Sequence, residues 1–277
     1  MYGLTRIRGR KRDCSMYAHH ERAIQRLIEL LQDDSRFPAL IISGSIAHKK
    51  ETERSDVDVL LVASEEEYAR RERINDFVYF NTEICDYPGG YIDGKVIAMP
   101  FLQEAAARGS EPTRYAYEGA FIAYSHIPDL QAVLEQITRY PEEEREGKMA
   151  SFYSQVLLQS GYFIREADRR QDLYLKLHTA SDLVLFGGRL LLAYNRILFP
   201  CHKSLMEAVE AAPEKPERYI ELAETVMREP TPENAQAFQE AITNFHNWGI
   251  SYMDALSYFF KDIEWNWRSG YPPLEDA

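Results

Sequence analysis

Apolar positions at Ile24, Leu27, Ile28 and Leu31 give residues 15–32 the spacing of an amphipathic helix, with Ser15 placed to cap it. The run Asp33-Asp34-Ser35-Arg36-Phe37-Pro38 ends that periodicity, and ALIIS (39–43) follows as a buried strand. Gly44-Ser45 then opens a short helix, and DVDVLLVA (56–63) is a second strand. A charged surface helix is predicted over 65–74. Further strands are predicted over 77–85 (FVYFNTEIC) and 91–99 (YIDGKVIAM), parted by the turn residues Tyr87-Pro88-Gly89-Gly90. A helix over 101–108 stops at Gly109, and GAFIAYS (119–125) is the last strand.

The pattern then changes period. After a helix over 128–139, YPEEEREGK (140–148) reads as a polar linker, and strand signals cease. Residues 173, 177, 180, 184, 187, 191, 194 and 198 form one helical stripe; 238, 242, 245, 249, 252, 256, 259 and 263 form another. Shorter periodic stretches lie at 149–167 and 217–228. Such stripes are the material of bundle cores. The expectation is an α+β domain over 1–140 followed by an all-helical bundle domain over 141–277.

Composition adds limits. The chain has 277 residues, room for one large domain or two ordinary ones, and 45% are hydrophobic. Its formal net charge of −12, from 44 acidic against 32 basic residues, disfavours a nucleic-acid partner, whose phosphates need a basic surface. That sign suits a metal ion or a cationic small molecule, although keeping the protein soluble is the simpler reading of it. Cys14, Cys85 and Cys201 are odd in number, far apart and without a CxxC, so a reducing, cytoplasmic setting is expected. The basic RIRGRKRDCS segment is followed by no apolar run, and nothing approaches a membrane-spanning length.

The chemistry concentrates in SGSIAHKKETERSDVD (43–58). A strand alternates its faces, so Asp56 and Asp58 point the same way, roughly 6–7 Å apart. Two carboxylates held there repel unless a cation sits between them, and a hard divalent ion such as Mg²⁺ takes oxygen ligands of this kind. Upstream, Gly44 lets a ligand approach the backbone, the helix start offers free N–H groups to an anion, and Ser45 adds a hydroxyl. A nucleoside triphosphate with its magnesium would use both features.

The order of apolar strand, Gly-Ser, about a dozen residues, Asp-x-Asp and a second apolar strand resembles the nucleotidyltransferase superfamily, with the DNA polymerase β-like fold. GSIAHKKETERSDVDVLLV matches that signature along its length, including the Ser55 that often precedes the first Asp. The resemblance implies a mixed sheet with helices, and a third carboxylate on a later strand. Asp93 in GYIDGKVIAM is favoured, although Gly94 replaces a larger apolar residue; Asp86 in EICDYP competes. It further implies that Asp56, Asp58 and Asp93 hold Mg²⁺, and that Gly44 and Ser45 hold the triphosphate, with ATP the expected donor. A hydroxyl on a small-molecule acceptor would attack the α-phosphate, with Asp93 drawing its proton. Lys49, Lys50 and Arg54 would reach the triphosphate, or are solvated loop charges.

Small-molecule members of that superfamily, such as those that adenylylate aminoglycoside or lincosamide antibiotics, pair this core with a C-terminal helical domain, and the architecture here is similar. In AYNRILFPCHKSL (193–205), the residues Asn195, Arg196, His202 and Lys203 surround Pro200 and are candidates for the acceptor site. They serve equally as helix-end caps. Arg196 and His202 also fit the loose R-x(4–6)-H pattern of HEPN-type ribonucleases, although Pro200 disturbs the helix that would align them. Arg114 and Glu118 are candidates for nucleotide or acceptor contacts or for a capped turn. Trp265 and Trp267, beside Arg268, are expected to pack over the bundle end. Transfer to a protein or RNA target, or nucleotide binding without turnover, are the alternative functions.

Overall fold

The computed structural model describes residues 16–270 and 272–277; the expectations attached to Cys14, Ser15 and the basic segment before them lie outside these. The described residues form two compact units. One holds those up to Gly109 together with Thr113–Arg139, and the other holds Ser110–Pro112 with Tyr140–Ala277. Among the described residues, no helix is long and apolar enough to cross a membrane.

The first unit is α+β. Its elements run α1 (Ala18–Leu31), β1 (Ala39–Ile42), α2 (Gly44–Ala47), β2 (Val57–Ala63), α3 (Glu65–Arg73), β3 (Val78–Asn81), β4 (Ile92–Ala98), α4 (Met99–Arg108), α5 (Glu111–Tyr115, at the division between units), β5 (Phe121–Ser125) and α6 (Leu130–Ile137). The sheet has the order β3-β4-β2-β1-β5. It is mixed: β2 and β4 are parallel, and the other neighbours are antiparallel. Alternation sorts the side chains. Leu40, Ile42, Val57, Val59 and Leu61 pack against the apolar stripe of α1, whereas Ile41, Leu60, Val62 and Ile97 pack against α4 and α6. Both faces of the central strands are therefore covered, which explains why ALII and VLLVA are unbroken apolar runs.

The strand expected over 77–85 is shorter than predicted. The Asn81 Oδ1 accepts from the N–H groups of Glu83 (2.8 Å) and Ile84 (3.1 Å), a side-chain turn that ends β3.

The second unit is helical: α7 (Glu142–Leu158), α8 (Ile164–Arg170), α9 (Leu173–Tyr194), α10 (Leu205–Ala211), α11 (Tyr219–Arg228), α12 (Pro232–Phe245) and α13 (Tyr252–Phe259). Several sequence expectations need correction. The proposed linker 140–148 is mostly the first two turns of α7, where Glu142, Glu143 and Glu144 complement the helix N-terminus. The stripe through 238–263 is two helices, because Gly249 adopts φ +67° and Ser251 starts α13 with a capping box to Asp254. In the stripe through 173–198, Leu173 and Leu177 are exposed, and burial begins at Ala180. Trp265 stacks on Phe260 at 5.9 Å, but Trp267 is 78% exposed and does not cover the bundle end.

A buried ion cluster organises this unit. Glu111 takes Lys148 Nζ at 3.1 Å, Arg189 Nη2 at 3.5 Å and the Phe199 N–H at 2.9 Å. The Arg189 guanidinium lies 4.7 Å and 4.2 Å from the Phe152 and Phe199 ring centres, and donates to the Glu275 carbonyl at 2.7 Å. Removing one member leaves a charge in an apolar core. Arg189→Met is expected to cost about 3–5 kcal/mol, read as a fall in the denaturant midpoint; an unchanged midpoint would show that Glu111 is satisfied without it.

Asp182 in α9 gives a pH signature. Burial pushes its carboxyl from 3.8 up to about 6, partly offset by His178, whose Nε2 is 3.5 Å away. Between those values the folded unit keeps a proton that the unfolded chain releases, so this contribution is complete below 3.8 and lost as pH rises through 6. Asp182→Asn stays neutral throughout. It should raise stability above pH 6 by about 1–3 kcal/mol and have little effect below pH 4, as thermal melts across that range would report; a shift of equal size at every pH would contradict this.

Candidate active site

The motif residues meet at one end of the sheet. β1 runs antiparallel to β2, so its C-terminal end lies beside the start of β2, and the Ser43 N–H donates to the Asp58 carbonyl at 3.0 Å. The chain then turns through Gly44 at φ +63° into α2. A Cβ on Gly44 would stand 1.8 Å from Asp58 Oδ2 and 2.3 Å from its Cγ. The Asp58 carboxylate thus lies where any side chain at position 44 would go. Ser45 follows, and its Oγ is buried with no hydrogen-bond partner among the described residues. An orphaned hydroxyl at the mouth of a glycine turn fits a site built for an anion.

The parallel register sets Asp58 directly beside Asp93. Neighbouring strands are about 4.8 Å apart and register partners share a face, so these two side chains leave the sheet together. This is the face that carries Leu60, Val62 and Ile97 against α4 and α6 further along, while the acids at the strand starts remain half-buried. Asp56 lies just ahead of β2, and with Asp58 and Asp93 it is near enough to raise the pKa of the Tyr91 phenol. Asp86 is occupied elsewhere: Arg22 Nη2 and Arg26 Nη2 each lie 3.0 Å from its carboxylate, which those contacts hold below its ordinary pKa. Among the described residues, no three His, Cys, Asp or Glu side chains stand close enough together to enclose a metal ion. The donor set is still hard oxygen, which suits Mg²⁺.

Two residues that the sequence pattern passed over join the site. The Tyr91 hydroxyl lies by Asp56, whose carboxylate raises the phenol's pKa. Phe80 lies opposite Asp93 in the β3–β4 register, is 60% exposed, and packs 5.4 Å from Tyr91. Position 91 could have been found by alternation, since it shares a face with 93. Phe80 depends on the antiparallel register of an edge strand.

The remaining candidates fall in several places. Lys49 (φ +58°), Lys50 and Arg54 are exposed in the loop between α2 and β2. Arg114 is buried and donates to the carbonyls of Ala106 (3.3 Å), Gly109 (2.8 Å) and Ile137 (3.2 Å), closing the ends of α4 and α6, while Glu118 is exposed. In the helical unit, Asn195 donates to Leu191 (2.8 Å) and Glu214 (2.7 Å) carbonyls and accepts from the Glu214 N–H, ending α9. Arg196 grips Glu142 through two 2.8 Å bonds; His202 lies 3.8 Å from Asp276, and Lys203 is exposed. Arg196 and His202 thus face different carboxylates.

No family model matches the chain, and no curated protein matches it. Among solved structures, a nucleotidyltransferase-like protein from Exiguobacterium sibiricum 255-15 is similar at 12% identity, over 88% of this chain and 79% of that one, with a TM-score of 0.48. A likeness this distant decides nothing about chemistry.

Gly44→Ala sets a side chain against Asp58 and forces an L-residue into positive φ. The expected loss is about 1–3 kcal/mol of stability together with any nucleotide affinity, measured by thermal melts and calorimetric titration. A variant that melts and binds as the parent does would show that the turn has slack.

Proposed function

We propose that this chain is a nucleotidyltransferase that moves a nucleoside monophosphate from a nucleoside triphosphate to a hydroxyl of a small-molecule acceptor. The observation that carries the reading is the seating of the Asp58 carboxylate on Gly44, with the unpartnered Ser45 Oγ next to it and Asp93 in register beside it. A carboxylate face and an anion-ready turn a few ångströms apart are what a metal–triphosphate needs and what a purely structural strand end does not. The oxygen donors of Asp56, Asp58 and Asp93 are those that would hold Mg²⁺, which when bound supplies positive charge to the triphosphate and draws the three acids together.

The residues divide the work. Gly44 and Ser45 receive the β- and γ-phosphates, the first by leaving the backbone bare and the second through its hydroxyl; Lys49 and Arg54 add positive charge from the loop. The acceptor oxygen forms a bond to the α-phosphorus as the bond from that phosphorus to the bridging oxygen breaks, and pyrophosphate carries away the electron pair. Asp93 takes the acceptor's proton, being next to Asp58 and on the face open toward Phe80. ATP is the donor of choice and the cytoplasm the proposed compartment. The acceptor is proposed to be small, because the net charge of −12 opposes a polyanionic target. Asn195, Arg196, His202 and Lys203 are weaker acceptor candidates than the sequence suggested, since Asn195 caps α9, Arg196 pairs with Glu142 and His202 lies beside Asp276 within the helical unit.

The test is incubation with Mg²⁺, each α-labelled triphosphate and a panel of hydroxyl compounds. Pyrophosphate release that depends on one compound supports the reading, whereas label on protein or RNA assigns a macromolecular target. Asp56→Asn should lower the rate on the order of 10²-fold or more with an unchanged circular dichroism spectrum; full activity in that variant would remove Asp56 from the site.

A further inference from the structure

Ser55, the residue before Asp56, is held on every side. Its N–H donates to the Thr52 carbonyl at 3.1 Å and its Oγ accepts from the Thr52 N–H at 2.9 Å. Its carbonyl accepts twice more, from His20 Nε2 at 3.0 Å and from the Tyr87 hydroxyl at 2.8 Å. These donors come from separate places, α1 and the turn between β3 and β4. They also pack edge to face, with ring centres 5.1 Å apart. A carbonyl can only accept, so His20 carries its proton on Nε2. His20 is fully buried, and its Nδ1 has no partner among the described residues. Burial lowers its pKa, which agrees with a neutral ring.

A buried histidine that leaves one nitrogen orphaned is an expensive way to fill space; a leucine would pack there without that cost. What the histidine provides is a directed donor. Two rigid rings aimed at one carbonyl fix the plane of the 55–56 peptide, and that plane sets the direction in which Asp56 leaves the chain. We propose that His20 and Tyr87 are positioning residues for Asp56, clamping the preceding carbonyl so that its carboxylate is presented to the metal. The inference rests on the nucleotidyl-transfer reading of the site. It gives Ser55 a job as well: its hydroxyl closes the 52–55 turn so that its carbonyl is offered to the clamp.

The experiment uses the full chain, with Mn²⁺ binding followed by electron paramagnetic resonance, alone and with a non-hydrolysable nucleoside triphosphate analogue. Tyr87→Phe removes one hydroxyl and keeps the ring. His20→Leu removes the donor, and His20→Gln returns an amide N–H to about the Nε2 position. Tyr87→Phe and His20→Leu should each weaken Mn²⁺ binding by about tenfold, the scale on which partners of metal ligands act, and His20→Gln should recover most of that loss. A purely structural role would lower the melting temperature without changing the affinity of the folded protein. If His20→Leu does not fold, Tyr87→Phe decides alone. Parental affinity in folded Tyr87→Phe, where the parent itself binds Mn²⁺, overturns the clamp and leaves the reading of the site intact. A parent that binds no Mn²⁺ under either condition overturns both.

Discussion

The Asp58 carboxylate lies against the bare Cα of Gly44, and the arrangement of the candidate site depends on that closeness. It requires a residue without Cβ, a backbone at positive φ, and two antiparallel strands in a register that sets Ile42 beside Val59. Each requirement has a local source. ALII and VLLVA are buried on both faces, so their register is set by packing against α1 on one side and α4 and α6 on the other. The Ser43–Asp58 backbone bond then fastens the turn to the acid. With those fixed, Ser45 has little choice about where its hydroxyl goes.

From the same constraint follows the contrast between Asp93 and Asp86. Both stand near the ends of strand-like segments. Asp93 is inside β4 and is carried beside Asp58 by a parallel ladder. Asp86 lies beyond the point where the Asn81 turn ends β3, and is neutralised by Arg22 and Arg26. The arginines on α1 and the acid in that turn make an exposed network of modest energetic value that ties the turn to the helix.

Much of the placement of the acids and the glycine turn was legible in the chain because it rests on short-range rules. Alternation paired Asp56 with Asp58, and a glycine next to a serine after an apolar run marked the turn. Partners from distant segments were not legible. Phe80, His20 and Tyr87 come beside these acids through register, helix docking and a turn, and nothing local in the sequence announces where their rings will point, whereas Tyr91 follows from alternation with Asp93. In the helical unit, period alone could not separate a long helix from two, since Gly249 and the Ser251 cap fall inside an unbroken apolar spacing. Nor could it show that the acid-rich 140–148 stretch begins a helix, although three glutamates at a helix start are favourable for the same reason that made them look like a solvated linker. The polar residues around Pro200 looked available because their partners, Glu142, Glu214 and Asp276, are far away in sequence.

The central claim is that this turn and these acids form one receptor for a metal-bound polyphosphate. It is tested most directly by a crystal structure of the chain grown with Mg²⁺ and a non-hydrolysable nucleoside triphosphate. The expected result is metal density shared by Asp56 and Asp58, with phosphate oxygens on Ser45 Oγ and the amides after Gly44. Nucleotide bound at another surface, with no metal on Asp56 or Asp58 and Ser45 touching nothing, would contradict it.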